Sequence, residues 1–431
     1  MDKQFFKQKV WLIAVSMGYG HQRTAYSLRK LAFNEKIINA DEYQGIPKKD
    51  KKIWNNSKKF YNFISRCKRI PLIGKFLFSF YDQFQKIFSF YPKRNLEKPN
   101  FALKQIFSLI ANGWGKDLIE KLKKRPLPLI TTFFTPAFIA DFFNFSEKVF
   151  CVICDADISR AWVSLKPKTS KIKYFAPNKR VVERLKLYGV KEENIFLTGY
   201  PLPQENIGTE NLEILKKDLS YRLLNLDPEG QYRQEYGALI NEYLVKLPEK
   251  PNHPLTIMFS VGGAGTQKEI AIQAMQSLSK DIKAGTIKLV LSAGIRKKVK
   301  EYFERNIQKL KLEKEVDIIF DEKIGGYFEK FNQALRKIDV LWTKPSELSF
   351  YVALGIPIII APPVGSQEDF NKEWLLKMNS GIVQKDPKHT DQWFFDYLKR
   401  GIFAKAAFHG FIEGEKMGTF NIEKIISKCS G

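Results

Sequence analysis

The stretch "VSMGYGHQRTAYSLRKLA", residues 15–32, decides the fold. The run before it, "KVWLIAVS", is short and apolar, which suits a buried parallel strand. After it, Ala25, Leu28, Leu31 and Ala32 recur at helical spacing. Between the two, Gly18 and Gly20 permit a tight turn and close backbone approach. A strand, a glycine turn and a helix in that order open a Rossmann-like unit. His21 then sits at the mouth of the helix, where it either does chemistry or merely caps it.

The device occurs again at "LTIMFSVGGAGTQKEIAIQAMQSL", residues 255–278, with Ile270, Ala271, Ala274 and Leu278 on the helix's apolar face. Strand-like runs follow at "IKLVLSAG", "VDIIF", "IDVLWT" and "IPIIIAPP". In the first half they are "LPLITTFF", "KVFCVICD", "KIKYFAP" and "NIFLTGYP". Strands alternating with helical patterns predict parallel sheets. The expected fold is therefore α/β, with two Rossmann-like domains facing a central cleft. The first domain spans residues 1–204 and carries an insertion at 48–125. Residues 205–254 read as a polar, helical linker ending in the proline-rich "LPEKPNHP". The second domain spans 255–390, and one or two closing helices fill 391–431.

A length of 431 residues suits two domains, and 44% hydrophobic residues can fill two cores. A net charge of +25 implies an anionic partner: nucleic acid, an anionic membrane or a phosphorylated ligand. Four cysteines (Cys67, Cys151, Cys154 and Cys429) are too few for a disulfide scaffold and fit a reducing cytosol. Cys151 and Cys154 form a C-x-x-C inside an apolar run, which reads as buried core thiols, with a redox or metal role as the alternative. The uncharged run "LSFYVALGIPIIIAPPVG", residues 348–365, is broken by Gly355, Pro357, Pro362 and Pro363 and reads as helix, turn and strand. The N-terminus has no apolar signal core. A cytoplasmic protein follows as the expectation.

The insertion is unusual. Residues 48–125 hold 20 Lys and Arg against 5 Asp and Glu, with 15 aromatic residues interleaved. Rings that sink into a bilayer interface beside lysines that meet anionic headgroups would dock this segment on the inner membrane face. Packing of the aromatic face on its own domain is the second reading. A single-stranded nucleic-acid platform is the third, and no nucleic-acid module accompanies the charge.

The motifs "GYGHQRTAYSL", "CDADISRAW", "YGVKEENIFLTGYPL", "SVGGAG", "DVLWTKPSELS" and "GSQEDFN", in this order, resemble the GT-B glycosyltransferases of family 28. That family includes the bacterial peptidoglycan GlcNAc transferase and the diacylglycerol glycosyltransferases. The resemblance implies an inverting transfer from a UDP-sugar to a lipid-linked hydroxyl such as that of diacylglycerol, with no metal required. His21 matches the family's proposed catalytic base. An imidazole suits the removal of a proton from an attacking hydroxyl.

The remaining assignments also follow the resemblance. Gly262, Gly263 and Gly265 match the loop beside the donor diphosphate, and Arg296 adds a cation where the family often has a neutral residue. Ile324 takes the place of an apolar residue whose backbone reads the base. Lys344 belongs to the T-K-P segment. That segment is shorter than in the family, so Phe350 falls where a ribose-binding glutamate would stand, and Glu347 is the carboxylate nearby. Glu347 either binds the ribose or complements the helix dipole. Gln367, Glu368 and Asn371 keep the family's Q-E-x-x-N spacing of donor-binding residues, in which the Gln-Glu pair faces the donor sugar's hydroxyls, with a plain surface turn as the alternative. Gly18, Gly20, Asp155 and Trp162 fall on the acceptor side. Ser159 or Arg160 stands where the diacylglycerol enzymes have a histidine, and Asp157 has no assigned role.

The partners implied are a UDP-sugar, an anionic membrane surface and a lipid acceptor, but no nucleic acid; the oligomeric state is left open. Two other functions share the architecture: a UDP-GlcNAc 2-epimerase, which needs no docking segment, and a nucleotide- or membrane-binding protein without turnover.

Overall fold

A computed structural model describes residues 8–67, 86–92, 94–244, 246–262, 265, 267–363 and 366–428. The chain forms two compact units. The first is Met1–Pro201 with Val364–Asn371 and Met417–Gly431, and the second is Leu202–Pro363 with Lys372–Lys416.

The first unit is built on a six-stranded sheet. Its strands are β1 (Val10–Ala14), β2 (Ala32–Asn39), β3 (Leu129–Thr131), β4 (Val149–Val152), β5 (Lys173–Ala176) and β6 (Ile195–Leu197). They lie in the order β2-β1-β3-β4-β5-β6, and every pairing is parallel. Parallel strands are covered on both faces, which is why β1 and β4 read as unbroken apolar runs. One face packs Leu12, Ala14, Ile130, Phe150 and Phe175 against Ala25 and Leu28 of the first helix and against Ile422 and Ile426. Each such side chain contributes about 1.5–3 kcal/mol when fully buried.

The second unit has β7 (Leu255–Ser260), β8 (Ile287–Gly294), β9 (Val316–Phe320), β10 (Val340–Thr343), β11 (Ile358–Ile360) and β12 (Gly381–Val383). Their order is β12-β11-β10-β7-β8-β9, again all parallel. Read from β9, this is the strand order of the Rossmann fold. The chain thus has the two Rossmann-like units of a GT-B protein. In each sheet the winding reverses beside the first strand: between β1 and β3, and between β7 and β10. Ligands of such sheets bind past the carboxyl ends of the strands at this switch point. Both glycine turns lie there.

Several expectations are corrected. Strands β2 and β12 are absent from the sequence reading, and both are edge strands with half-exposed patterns rather than apolar runs. Pairing of β2 skips from Ala32 to Ile37 opposite Val10 and Leu12, with Asn34 and Glu35 at positive φ. The expected linker 205–254 holds the helices Glu213–Leu226 and Gln231–Tyr243 and belongs to the second unit. Arg222 welds it there: fully buried, it donates to the carbonyls of Ile338 (2.8 Å), Leu354 (2.9 Å) and Leu335 (3.2 Å). Burial lowers its pKa, and the charges of Asp339 and Asp218 oppose the shift.

The tail forms three helices, Thr390–Lys399, Ile402–Glu413 and Gly418–Lys428, and the last of them belongs to the first unit. After the T-K-P segment the chain is a 3₁₀ helix, Glu347–Leu354, rather than an α-helix.

Within the insertion, the helix Lys48–Cys67 packs Trp54 edge-on against Trp114 at 4.7 Å. Its Asp50 accepts the Gly115 N–H at 3.0 Å. Phe90 lies under the guanidinium groups of Arg180 and Arg184, at 4.4 and 4.2 Å. These aromatics pack on their own unit, while Lys51, Lys52 and Lys59 are exposed. Residues 68–85, the centre of the expected docking segment, lie outside the described residues.

Candidate active site

The first glycine turn leaves β1 through Ser16 and reaches Gly18, which caps the helix Tyr19–Ser27 at φ 125°. That backbone conformation is one L side chains avoid, so the turn needs glycine here. Gly20 already lies in the helix, and its carbonyl accepts from the Thr24 hydroxyl at 2.8 Å.

His21 follows. Its Nδ1–H donates to the carbonyl of Thr132 at 2.8 Å, and the Thr132 hydroxyl donates back to the carbonyl of His21 at 2.8 Å. Thr132 immediately follows β3, so the switch point brings these residues together. A carbonyl can only accept, so Nδ1 carries a proton, and in the neutral imidazole the lone pair is then on Nε2. Cys154 Sγ lies 3.4 Å from Nδ1. Phe133 meets the imidazole edge-on at 4.8 Å, and the Trp162 ring is 6.1 Å away.

At the start of the turn, Ser16 gives both its N–H and its hydroxyl to the buried carboxylate of Asp41. Lys58, from the basic helix, donates to the Ser16 hydroxyl at 2.9 Å. None of Thr132, Asp41, Ser16 or Lys58 was singled out from the sequence. Only the chain reversal at β3 and the charge of the insertion hinted at them.

The "CDADISRAW" stretch is mostly structural. Asp157 is buried and takes a two-point ion pair from Arg184 (2.9 and 2.9 Å) with Arg180 at 2.8 Å. Arg160 is buried and donates to the carbonyls of Glu97 (2.9 Å), Val163 (2.6 Å) and Ser164 (3.1 Å). Trp162 is buried against Phe134 at 5.4 Å. Cys151 is wholly buried, which pushes its thiol pKa up and makes it a core residue.

Asn371, expected among the donor-binding residues, groups with this first unit and is buried. Its amide oxygen accepts the Ala156 N–H at 2.8 Å, and its amide nitrogen lies 3.4 Å from Asp155. Gln367 and Glu368 sit half-buried in the first turn of the same helix, Ser366–Lys377.

The second glycine turn leaves β7, with Gly262 and Gly265 at φ 64° and 63°. Gly263 lies outside the described residues. A Cβ on Gly262 would meet Lys344 Cε at 3.3 Å, and one on Gly265 would meet Arg296 Cδ at 2.8 Å. The loop therefore lies directly beneath two cationic side chains, one after β10 and one after β8. Gln267, at positive φ, donates to the Pro362 carbonyl at 2.6 Å and ties the loop to the segment after β11. The sequence reading passed over this brace.

Glu347 is buried in the first turn of its 3₁₀ helix. Phe350 is a core residue against Trp374 at 5.0 Å. Ile324 opens the helix Ile324–Leu335. Ahead of it, Asp321 accepts from Lys330 (2.7 Å) and the Lys323 N–H (2.9 Å), which hold its carboxyl below the usual range.

Residues 248–334, covering this glycine turn, match a family described as Domain of unknown function (DUF6938). No curated protein matches the chain significantly in sequence. Among solved structures the chain is similar to Acinetobacter baumannii MurG, at 12% identity over 98% of this chain and 99% of that one, TM-score 0.47. A glycosyltransferase from Rickettsia africae is similar at 14% identity over 98% and 99%, TM-score 0.42. UDP-GlcNAc 2-epimerase from Neisseria meningitidis, bound to UDP-GlcNAc, is similar at 14% identity over 78% and 83%, TM-score 0.44. Among the described residues, no helix is long and apolar enough to cross a membrane.

Proposed function

We propose that the chain is a UDP-sugar-dependent glycosyltransferase that moves a hexose, with inversion, to a lipid-linked hydroxyl. The observation that carries this reading is the Thr132 carbonyl on His21 Nδ1, which leaves Nε2 as the proton acceptor. Nε2 takes the hydroxyl proton as the acceptor oxygen bonds to the anomeric carbon. The bond from that carbon to the diphosphate breaks, and UDP departs with its electron pair. Negative charge gathers on the diphosphate, and Lys344 and Arg296 above the second glycine turn meet it. Two fixed cations supply the countercharge, so the reading calls for no metal. Glu347 serves the ribose, Ile324 the base, and Gln367 with Glu368 the sugar hydroxyls. The exposed lysines of the helix Lys48–Cys67 face an anionic membrane that presents the acceptor.

The test is UDP release from UDP-glucose, UDP-galactose and UDP-GlcNAc, with and without anionic vesicles containing diacylglycerol. Lipid-dependent release that His21→Ala abolishes supports the reading. Conversion of UDP-GlcNAc to its 2-epimer without lipid-dependent release would replace it with the epimerase.

A further inference from the structure

The opposite rim of the first sheet carries a feature that sugar transfer does not use. His21 and Thr132 lie past the carboxyl ends of β1 and β3. At the amino ends of β4, β5 and β6 there is a cavity of about 970 Å³. Six lysines line it: Lys148 just before β4, Lys173 opening β5, Lys191 in the turn before β6, and Lys166, Lys168 and Lys171 in the loop before β5. Parallel strands put all their amino ends on one rim, so this cavity is separate from the glycine turn.

The lining carboxylates are Asp141, Glu147 and Glu193, three against six amines. Asp141 is spent on the loop itself: it accepts from the Ser170 hydroxyl at 2.8 Å and the Lys171 N–H at 3.2 Å. Glu193 lies 3.8 Å from Lys191, and Lys168 reaches outside the cavity to Glu97 at 2.9 Å. Lys166 and Lys171 make no ion pair among the described residues. A solvated basic face would spread its amines over a convex surface, whereas here three separate segments bring them into one concavity. Concave walls focus the field and favour a multiply charged anion. Phe107, Phe142 and Phe145 form an apolar wall beside the amines, and Phe142 is 43% exposed.

We propose that this cavity is a second anion site, which takes the phosphate of a ligand that also has an apolar part. The chemistry belongs equally to a phospholipid headgroup and to a free phosphorylated compound. The proposal does not depend on the sugar-transfer reading.

The test compares the full chain with Lys148→Gln/Lys166→Gln/Lys171→Gln and with a control of equal charge change in the second unit, Lys280→Gln/Lys309→Gln/Lys314→Gln. One arm titrates inorganic pyrophosphate by calorimetry, and the other floats the protein on phosphatidylglycerol vesicles. Any donor site is common to both variants, so only their difference is read. A loss of about tenfold in the cavity variant alone is expected, with strong salt dependence in the parent. Loss in the pyrophosphate arm identifies a free phosphate compound, and loss confined to vesicles identifies a headgroup. Equal behaviour of the two variants in both arms overturns the proposal.

Discussion

His21 bonds a carbonyl that lies 111 residues further along the chain. On the proposed reading, replacing His21 with alanine removes the base, while the second glycine turn belongs to the other unit. Turnover should fall at least ~100-fold while UDP affinity, measured by titration, stays within about twofold. Gly265→Ala acts on the other half. The added Cβ would overlap Arg296 Cδ, at a φ of 63° that alanine tolerates poorly. UDP affinity should drop about tenfold, with a stability loss of about 1 kcal/mol in urea unfolding.

The sequence made His21 and the two glycine turns conspicuous, because each interrupts an apolar run with residues that neither a strand nor a helix prefers. Thr132 gave no such sign. Its contact with the imidazole is through a backbone carbonyl, which is the same in every residue. Asn371 shows the opposite failure: its spacing was visible, but its amide hydrogen-bonds to the Asp155–Ala156 backbone and side chain instead of projecting as a ligand.

Among the elements, legibility followed burial. Central strands such as β1, β4 and β7 are apolar on both faces and could be read directly. The edge strand β2 has a solvated side whose polar residues resemble loop, and β12 is only the three residues Gly381–Val383, too short to show a pattern. The segment 205–254 looked like a linker because it is polar and ends in a proline-rich stretch, yet the Arg222 guanidinium donates to the carbonyls of Ile338, Leu354 and Leu335 in the core. Arg222→Ala should therefore cost about 3 kcal/mol, from carbonyls left without donors. Asp157→Ala strands the buried Arg184 and should cost about 3–5 kcal/mol, whereas Asp157→Leu with Arg184→Met should cost much less. Chemical denaturation of the two variants side by side checks the contrast.

The whole molecule holds two compact units, each built on its own six-stranded sheet. If UDP occupies the second unit, a concentration 100 times its Kd adds about 2.7 kcal/mol to that unit. Calorimetry with UDP should then raise one transition and leave the other in place, and the Gly265→Ala variant should respond only at higher UDP. No shift in either transition would overturn nucleotide binding by the second unit.

The final helix, Gly418–Lys428, puts Ile422 and Ile426 into the core formed by β1, β3, β4 and β5. The ribosome therefore completes all six strands of the first sheet long before it supplies the side chains that close one face of it. At about 5–20 residues per second, the second unit takes on the order of ten seconds or more to emerge in between. During that interval a nascent apolar surface stands open, and it is there, rather than in the finished protein, that a chaperone would find its strongest hold.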